Sequence, residues 1–394
     1  MSNRHPYMDI KINGVRLEDI GASGFVEKVV VDEAENMADM CVIVIHNQEQ
    51  RFTDDFLFLE RGDMNVAVGY NNEVVPVQNF ILDRPRFVFP EGGRPKIILI
   101  GHGKAMQMAE PEKRRLFINR TDSEIAIKIA REYDLEYEVD ETMQRYTQIS
   151  QMGESDMMFL MKRAAIQGFM VYVEDNVLHF HRERVTRVPD DVFLQHRTGD
   201  ENVYSGEFSM RLLFGGETIT ATTFDKLAKK TIDVTFDDSP DLMTQESISA
   251  DSSLRRAYQL VKNRSTRFLE HQGHRGNLYE YKQMVEGVGR NNQFIIDGLL
   301  EVVGNPSIRA RRIVPVEGFQ NFDGDYWVSR IVHEISSKVG YRSSIQLRRT
   351  VAGSRKRGEP LSVMSTSSTG TRRFDRELDD VTDRSEVREP VTFS

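Results

Sequence analysis

The chain has 394 residues, which is too long for one ordinary hydrophobic core, so two to four domains are expected. Its 61 acidic and 52 basic residues give a net charge of −9, which argues against a general nucleic-acid-binding protein, because such proteins carry basic patches. No apolar run reaches bilayer length, and the first residues, MSNRHPYMDI, do not resemble a signal peptide. We therefore expect synthesis in a cytoplasm and no stable membrane insertion.

Short strands separated by turn residues fill the first hundred residues. The segment begins with a hairpin from Tyr7 to Leu17 around Asn13-Gly14, a dipeptide typical of two-residue hairpin turns. Further strands are predicted at Phe25–Val31, Met40–Ile45, Met64–Tyr70, Val74–Leu82, Phe87–Phe89 and Lys96–Ile100. This pattern predicts a β-barrel or sandwich domain over residues 1–105. The single cysteine, Cys41, falls in one of these strands and is expected to be buried.

Two helix-then-strand units follow and predict a small αβ domain over residues 106–202. In the first unit, Thr121-Asp122-Ser123-Glu124 forms a capping box before a helix, and a strand is expected at Leu135–Val139. In the second unit, Ser155 is the predicted N-cap, Asp156 lies at the positive end of the helix dipole, and Gly168 ends the helix. A hairpin then follows, with strands Phe169–Val173 and Val177–His181 around Glu174-Asp175-Asn176.

A second series of strands predicts another β domain over residues 203–349. The strands are expected at Val203–Phe214, Glu217–Thr223, Thr231–Phe236, Leu278–Glu286, Gln293–Val303, Arg312–Glu317, Tyr326–Ile335 and Arg342–Leu347. A charged helix is predicted from about Ser253 to Glu270, and Asp323-Gly324 is predicted to form a hairpin turn. Residues 350–394 are rich in Ser, Thr and mixed charge, so we expect a tail that is disordered or that becomes ordered on a partner.

Several short motifs resemble catalytic or metal-binding sites, but a purely structural role explains each of them better. His179 with His181, and His271 with His274, have ligand spacing but no evident third ligand. His333-Glu334 resembles the start of a zinc-protease helix, but Ser337 stands where the second histidine ligand belongs. Glu154 and Asp156 could be offered as a glycosidase pair, yet helix capping explains them. We therefore predict no catalytic, cofactor or metal residues.

Two longer patterns carry a family resemblance. The middle of the chain reads ESD…FL…GF…LHF, and residues 322–349 read FDGDYWVSRIVHEISSKVGYRSSIQLRR. In order and spacing they resemble the phage late control protein D family, whose members are tail baseplate hub proteins related to the hub half of type VI secretion spikes. The resembling positions are Gly62, Asp63, Gly69, Tyr70, Glu154, Ser155, Asp156, Phe159, Leu160, Gly168, Phe169, Leu178, His179, Phe180, Gly324, Tyr326, His333, Gly340 and Tyr341.

The resemblance implies a mainly β fold with two tail-tube-like β-barrel domains, an αβ insert between them, and a trimeric ring. It implies a structural hub in the virion tail baseplate that adapts a sixfold tail tube to a threefold central spike and lines a channel for DNA. The implied partners are copies of this chain, the tail tube protein, the central spike protein and other baseplate proteins, with DNA only in transit. No enzymatic activity and no cofactor are expected.

Two alternatives remain open from the sequence. The chain could be the hub of a type VI or pyocin-like contractile injection system, because the fold and symmetry of the two kinds of hub are shared. A hub with peptidoglycan-degrading activity is the other alternative, although the sequence leaves no room for an extra lysozyme-like helical domain.

Overall fold

A computed structural model describes residues 5–35, 37–71, 73–182, 188–189, 191–196, 201–210, 218–225, 230–237, 266–269 and 296–349. The chain divides into two compact units. The first comprises Met1–Arg211 and His274–Arg357, and the second comprises Leu212–Gly273 and Gly358–Ser394. Strands dominate the described residues, which confirms the mainly β fold expected from the sequence. No helix in these ranges is both long and apolar enough to cross a bilayer.

The strands, in chain order, are β1 (Pro6–Ile12), β2 (Val15–Arg16), β3 (Val26–Ala34), β4 (Met40–His46), β5 (Gly62–Tyr70), β6 (Glu73–Leu82), β7 (Arg86–Val88), β8 (Lys96–His102), β9 (Glu112–Thr121), β10 (Glu136–Val139), β11 (Arg145–Ser155), β12 (Phe169–Glu174), β13 (Val177–Arg182), β14 (Leu194–Gln195), β15 (Val203–Met210), β16 (Thr218–Asp225), β17 (Lys230–Asp237), β18 (Thr266–Leu269), β19 (Ile296–Val303), β20 (Ile313–Glu317), β21 (Gly324–Ser336) and β22 (Gly340–Arg349). The helices are α1 (Phe56–Leu59), α2 (Ala105–Ala109), α3 (Asp122–Glu132) and α4 (Asp156–Gln167).

Fourteen strands of the first unit form one sheet. Its main order is β15-β19-β22-β21-β3-β4-β8-β6-β5-β1-β2, with β20 beside β21, β14 beside β20, and β7 beside β8. At its centre, β3 and β21 pair antiparallel from Ala34 opposite Arg330 to Lys28 opposite Ser336. Strands from both sides of the insert therefore belong to one hydrogen-bonded sheet. The division into two separate barrel domains stays a prediction.

The core of this sheet follows from the alternation of side chains along each strand. In β4, Cys41, Ile43 and Ile45 are buried while their neighbours are partly exposed, as the two-residue period of a strand requires. Ile335 and Tyr341 from the C-terminal strands pack in the same core as the N-terminal strands. The hydrophobic core thus crosses the β3–β21 junction together with the sheet.

The insert consists of two strand-helix-strand units, β9–α3–β10 and β11–α4–β12, followed by β13. β9 pairs antiparallel with β11, while β13 lies between β10 and β12 in a three-stranded sheet. Apolar side chains of α3 and α4 pack against both sheets around Phe159, Leu160 and Phe180. Strands β9 and β11 were not predicted from the sequence, because exposed Leu116, Ile118 and Met152 and the many charged residues break the apolar–polar alternation, while few side chains are buried.

The second unit contains a three-stranded sheet among its described residues. β16 is its central strand, paired antiparallel with β17 and parallel with β18. The predicted helix from Ser253 to Glu270 is therefore wrong at its end, where Thr266–Leu269 is a strand held by backbone pairing to β16. The rest of that helix, the predicted strand Leu278–Glu286 and the 350–394 tail lie outside the described residues.

Local turn and cap signals were predicted well. Asn13 and Gly14 have φ values of 51° and 81°, as a two-residue hairpin turn requires, and they join β1 to β2. Thr121 and Glu124 form the expected capping box on α3, and Ser155 caps α4 through the backbone N–H of Met158. The hairpin turn that was predicted at Asp323-Gly324 ends one residue earlier, at Asp323. Gly324 is already the first residue of β21 and pairs with Val316.

Gly168 provides a test of the α4 boundary. Its φ of 64° lies in the left-handed region, where an L side chain is strained by about 1–2 kcal/mol. We expect Gly168→Ala to lower the thermal unfolding midpoint by a few degrees. Gly24→Ala is the matched control, because the added Cβ meets no atom within 4 Å. Equal midpoints for the two variants would contradict the role given to Gly168.

Candidate functional site

Asp156 of the resemblance motif is the centre of a buried polar cluster in the insert. Its side chain is fully buried and accepts hydrogen bonds from Tyr133 Oη at 2.8 Å and Gln151 Nε2 at 2.9 Å. Lys113 Nζ lies 2.6 Å away, and Arg115 forms a second ion pair. Burial acts to raise the pKa of Asp156, but the bonds from Lys113, Gln151 and Tyr133 outweigh it, so the pKa lies below its usual range. Asp156 therefore holds β9, β11, α3 and α4 together.

The other insert positions of the motif have packing roles. Phe159 stacks on Phe117 with 5.5 Å between ring centroids, and Phe169 meets the ring of Phe180 edge-on at 5.4 Å. Leu160 and Leu178 are completely buried in the same core, and Glu154 pairs with Lys162 on the surface. The first ring pair joins α4 to β9, and the second joins the two strands of the β12–β13 hairpin.

Four motif positions of the large sheet lie together, one from the N-terminal strands and three from the C-terminal strands. Tyr70 Oη donates to the carbonyl of Gly304 at 2.9 Å, and its ring lies 5.5 Å from that of Tyr341. Tyr341 Oη lies 3.1 Å from His333 Nδ1. Gly340, the residue before Tyr341, begins β22 with a φ of 73°. A side chain at Gly304 would collide with the Tyr341 ring, because an added Cβ would lie 2.0 Å from it.

The remaining motif positions lie at turns and strand ends. Gly62 and Asp63 begin β5, and the Asp63 carbonyl accepts from the backbone N–H of Asn13 at 2.8 Å. Gly69 lies opposite Tyr7 on β1. At the start of β21, Tyr326 Oη donates to the Phe322 carbonyl at 2.7 Å, and Gly324 leaves space for the guanidinium of Arg349. The motif positions are therefore spread over the first unit and form no single site.

A buried ionic network joins three distant parts of the first unit, and we call it the junction cluster. It contains three carboxylates and three guanidiniums, contributed by β3 and the loop after it, by β12, and by the loop before β20. Its members are Glu33, Asp39, Glu174, Arg309, Arg311 and Arg312. Equal numbers of the two charges allow the cluster to be buried, because an unpaired ion in the protein interior is strongly unfavourable.

Arg311 makes the most connections in the junction cluster. Only 2% of its side chain is exposed. It donates from Nη1 to the Ala34 carbonyl at 2.6 Å and from Nη2 to Asp39 at 3.2 Å, and its Cζ lies 4.7 Å from the ring centroid of Tyr172. Its backbone N–H donates to the Val328 carbonyl on β21. One residue thus contacts the β3–β4 loop, the insert and the C-terminal sheet strands.

Arg309 and Arg312 extend the same network to the insert. Arg309 Nε lies 2.7 Å from Glu33, while Arg312 Nη2 donates to Glu174 at 3.1 Å. Burial raises the pKa of Glu33 against the opposing charge of Arg309. For Glu174 the charges of Arg311, Arg312 and Arg309 outweigh burial, so its pKa is lowered.

The structure supplies the third potential ligand that the sequence did not reveal beside His179 and His181. Glu138 on β10 faces His179, and its Oε2 lies 3.4 Å from His179 Nδ1. The parallel pairing of β10 with β13 causes this proximity. A strand pairing of this kind joins residues 41 positions apart and cannot be read from local spacing.

A small cavity lies beside Tyr70. Its volume is about 180 Å³, and its lining includes Phe193, Asn202, Gly304 and Ile308. Pockets for drug-sized ligands usually enclose roughly 300–1,000 Å³, so this cavity is too small for such a ligand.

We expect removal of the Arg311 charge to destabilise the chain strongly. In Arg311→Met, Asp39 and the Ala34 carbonyl lose their buried partner, and the free energy of unfolding should fall by about 3–5 kcal/mol. Denaturant unfolding followed by fluorescence of Trp327, the single tryptophan, measures the loss at β21 itself. Arg330→Met is the matched control. It breaks a partly exposed pair with Asp32 and should cost less than about 1 kcal/mol. Similar losses in the two variants would contradict the role of the junction cluster.

His333 predicts a specific dependence of stability on pH. Burial lowers its pKa from 6.5 to about 4, with Arg309 adding to the decrease and the Ile308 carbonyl opposing it. The unfolded chain therefore binds the proton more readily than the folded chain between these two values. The contribution of His333 to stability is complete above pH 6.5 and is lost as the pH falls towards 4. At pH 5 the free energy of unfolding should already be lower by about 2 kcal/mol.

The measurement compares unfolding free energies at pH 7 and pH 5. His333→Gln should reduce this difference by about 2 kcal/mol, whereas His5→Gln, which changes an exposed histidine, should preserve it. The same pH dependence in His333→Gln and in the unchanged chain would show that another group is responsible.

A family model described as the Alg8 N-terminal domain matches residues 3–337, which is most of the chain. Among curated proteins, none matches this chain significantly.

The fold is similar to the 43 kDa tail protein of prophage MuSo2 from Shewanella oneidensis, with 16% identity, a TM-score of 0.61, and coverage of 88% of this chain and 98% of the other. The tail protein from Neisseria meningitidis MC58 is similar at 13% identity and a TM-score of 0.62, over 88% of this chain and 97% of the other.

A chain in the structure of the PdpA–VgrG complex is also similar. It has 10% identity and a TM-score of 0.50, and the match covers 89% of this chain and 65% of the other. At these identities the likenesses establish a shared fold, and they confirm the predicted resemblance to phage tail proteins at that level. By the match over residues 3–337, the chain belongs to the family described as the Alg8 N-terminal domain.

Proposed function

We propose that the chain is a structural baseplate hub of a phage tail, a homotrimer that joins a sixfold tail tube to a threefold central spike. The observation that carries the proposal is the similarity of its fold to two phage tail proteins over nearly their whole lengths. The likeness to these tail proteins supports a structural role, and we propose no enzymatic activity.

The arrangement of the large sheet supports a duplicated module. On one side of the β3–β21 pair, β3 is followed by β4 and β8, and on the other side β21 is followed by β22 and β19. All of these neighbours pair antiparallel. Two similar halves in each chain would let three chains present six comparable surfaces to a sixfold tube.

The ends of the sheet favour assembly into a closed ring. Among the described strands, β15 and β2 each pair on one side only, with β19 and β1. An unpaired strand edge exposes backbone N–H and C=O groups, and pairing with another subunit satisfies them. We propose that such edges meet between the three subunits.

DNA would pass through the ring without binding to it. The net charge of −9 supports this part of the proposal, because a wall with the same sign of charge as DNA repels it. Retention of duplex DNA by the purified protein at physiological salt would contradict it.

A second candidate is the hub of a contractile injection system related to type VI secretion. The similarity to a chain of the PdpA–VgrG complex favours this candidate. A third, a hub that degrades peptidoglycan, has no specific observation in its favour. Clearing of a peptidoglycan suspension by the purified protein would nevertheless establish it.

We expect the purified chain to form a trimer in solution. Three chains of 45.4 kDa give about 136 kDa, which light scattering coupled to size-exclusion chromatography distinguishes from a monomer or dimer. A monomer over the micromolar concentration range would contradict a self-assembling hub. A dimer would contradict the threefold arrangement.

Truncation after Arg349 separates the ring from the tail. We propose that residues 350–394 dock on the spike or on a neighbouring baseplate protein. The truncated chain should therefore remain trimeric and lose affinity for its partner. Loss of the trimer on truncation would instead assign the tail to the subunit interface.

A further inference from the structure

Three metal-ligating side chains converge on one face of the three-stranded sheet of the insert. His179 and His181 are two residues apart on β13, so both side chains point to the same face. Glu138 on β10 is the direct neighbour of His179 in the parallel register. The backbone of the sheet itself therefore brings the three groups together.

Two of the three distances between these groups match those around a tetrahedral metal ion. His179 Nδ1 lies 3.4 Å from His181 Nε2 and 3.4 Å from Glu138 Oε2, and all three ligand atoms lie within 4.8 Å of one another. Ligands about 2.0–2.1 Å from a tetrahedral zinc ion are about 3.3–3.4 Å apart. Both distances exceed the usual N–H···O length of about 2.9–3.0 Å, so direct hydrogen bonds between these groups are weak.

The orientation of His181 is fixed by its other ring nitrogen. Nδ1 lies 2.6 Å from the carbonyl oxygen of Arg182, which can only accept a hydrogen bond. Nδ1 therefore carries the proton, and in the neutral ring the lone pair of Nε2 points towards His179. A backbone carbonyl that holds the distal N–H is a common feature around metal-binding histidines.

Packing leaves these rings little freedom. The Tyr172 ring stacks on His179 at 4.4 Å between centroids and meets His181 edge-on at 5.9 Å, while only 3% of His181 is exposed. Glu138 has 52% of its side chain exposed, so a water molecule can reach an ion at this position. The nearby positive charge of Arg311 is compensated by Asp39 and Glu174 in the junction cluster.

We propose that Glu138, His179 and His181 bind a divalent transition-metal ion such as Zn²⁺, with water as the fourth ligand. Two imidazoles and one carboxylate suit this class of ion better than Mg²⁺ or Ca²⁺, which prefer oxygen ligands. The ion links β10 to β13 and thereby fastens the α3–β10 half of the insert to the β12–β13 hairpin. This proposal is independent of the hub function.

Zinc titration of the full-length chain tests the proposal. The background chain carries His271→Ala and His274→Ala, which removes the other closely spaced histidine pair. After chelator treatment and dialysis, calorimetry with Zn²⁺ should give one equivalent per chain, and the thermal midpoint should rise with zinc concentration.

Variants of the three ligands give the decisive comparison. His181→Ala and Glu138→Gln should each weaken zinc binding by at least 10-fold and reduce the rise in thermal midpoint. Because Glu138 is half-exposed, Glu138→Gln should keep the fold, and circular dichroism checks it. His5→Ala, at an exposed position, should leave zinc binding unchanged. No zinc uptake by the background chain, or undiminished uptake by both ligand variants, would overturn the proposal.

Discussion

A single buried guanidinium, that of Arg311, connects parts of this chain that lie far apart in sequence. It contacts the Ala34 carbonyl, Asp39 and the Tyr172 ring, and its backbone adopts a left-handed φ of 63° to do so. A buried charge must keep its partners, because their loss leaves it uncompensated in the protein interior. The insert, the N-terminal strands and the C-terminal strands are therefore constrained to one arrangement.

Local features of the fold could be predicted from the sequence, since their signals are confined to a few adjacent residues. The turn at Asn13-Gly14, the cap at Ser155 and the left-handed stop at Gly168 are such features. Strands β9 and β11 were missed because exposed apolar residues and many charged residues break the apolar–polar alternation along them. The ion pair between Arg311 and Asp39 spans 272 positions, and the proximity of Glu138 to His179 depends on strand register; neither leaves a local signal.

Most residues that carry the family resemblance lie in the core of the protein or at its turns, and they form no reactive surface. Asp156, His333 and Tyr341 are buried polar groups with hydrogen-bond partners, and Gly168 and Gly340 have positive φ. Positions of this kind tolerate few other residues, because a substitution would strain the backbone or leave a buried polar group without its partner. Such a motif predicts the fold of the chain and does not by itself identify a reactive site.

The pairing of β3 with β21 also determines when the chain can complete its fold during synthesis. Asp32 and Arg330, which form an ion pair across these two strands, are 298 positions apart. Until the ribosome has released β21, one edge of β3 has no partner and can pair with the wrong strand or with another nascent chain. Contacts of such long range form slowly. Chains that terminate early would leave the large sheet open at its centre, so only chains that extend through β22 can complete it.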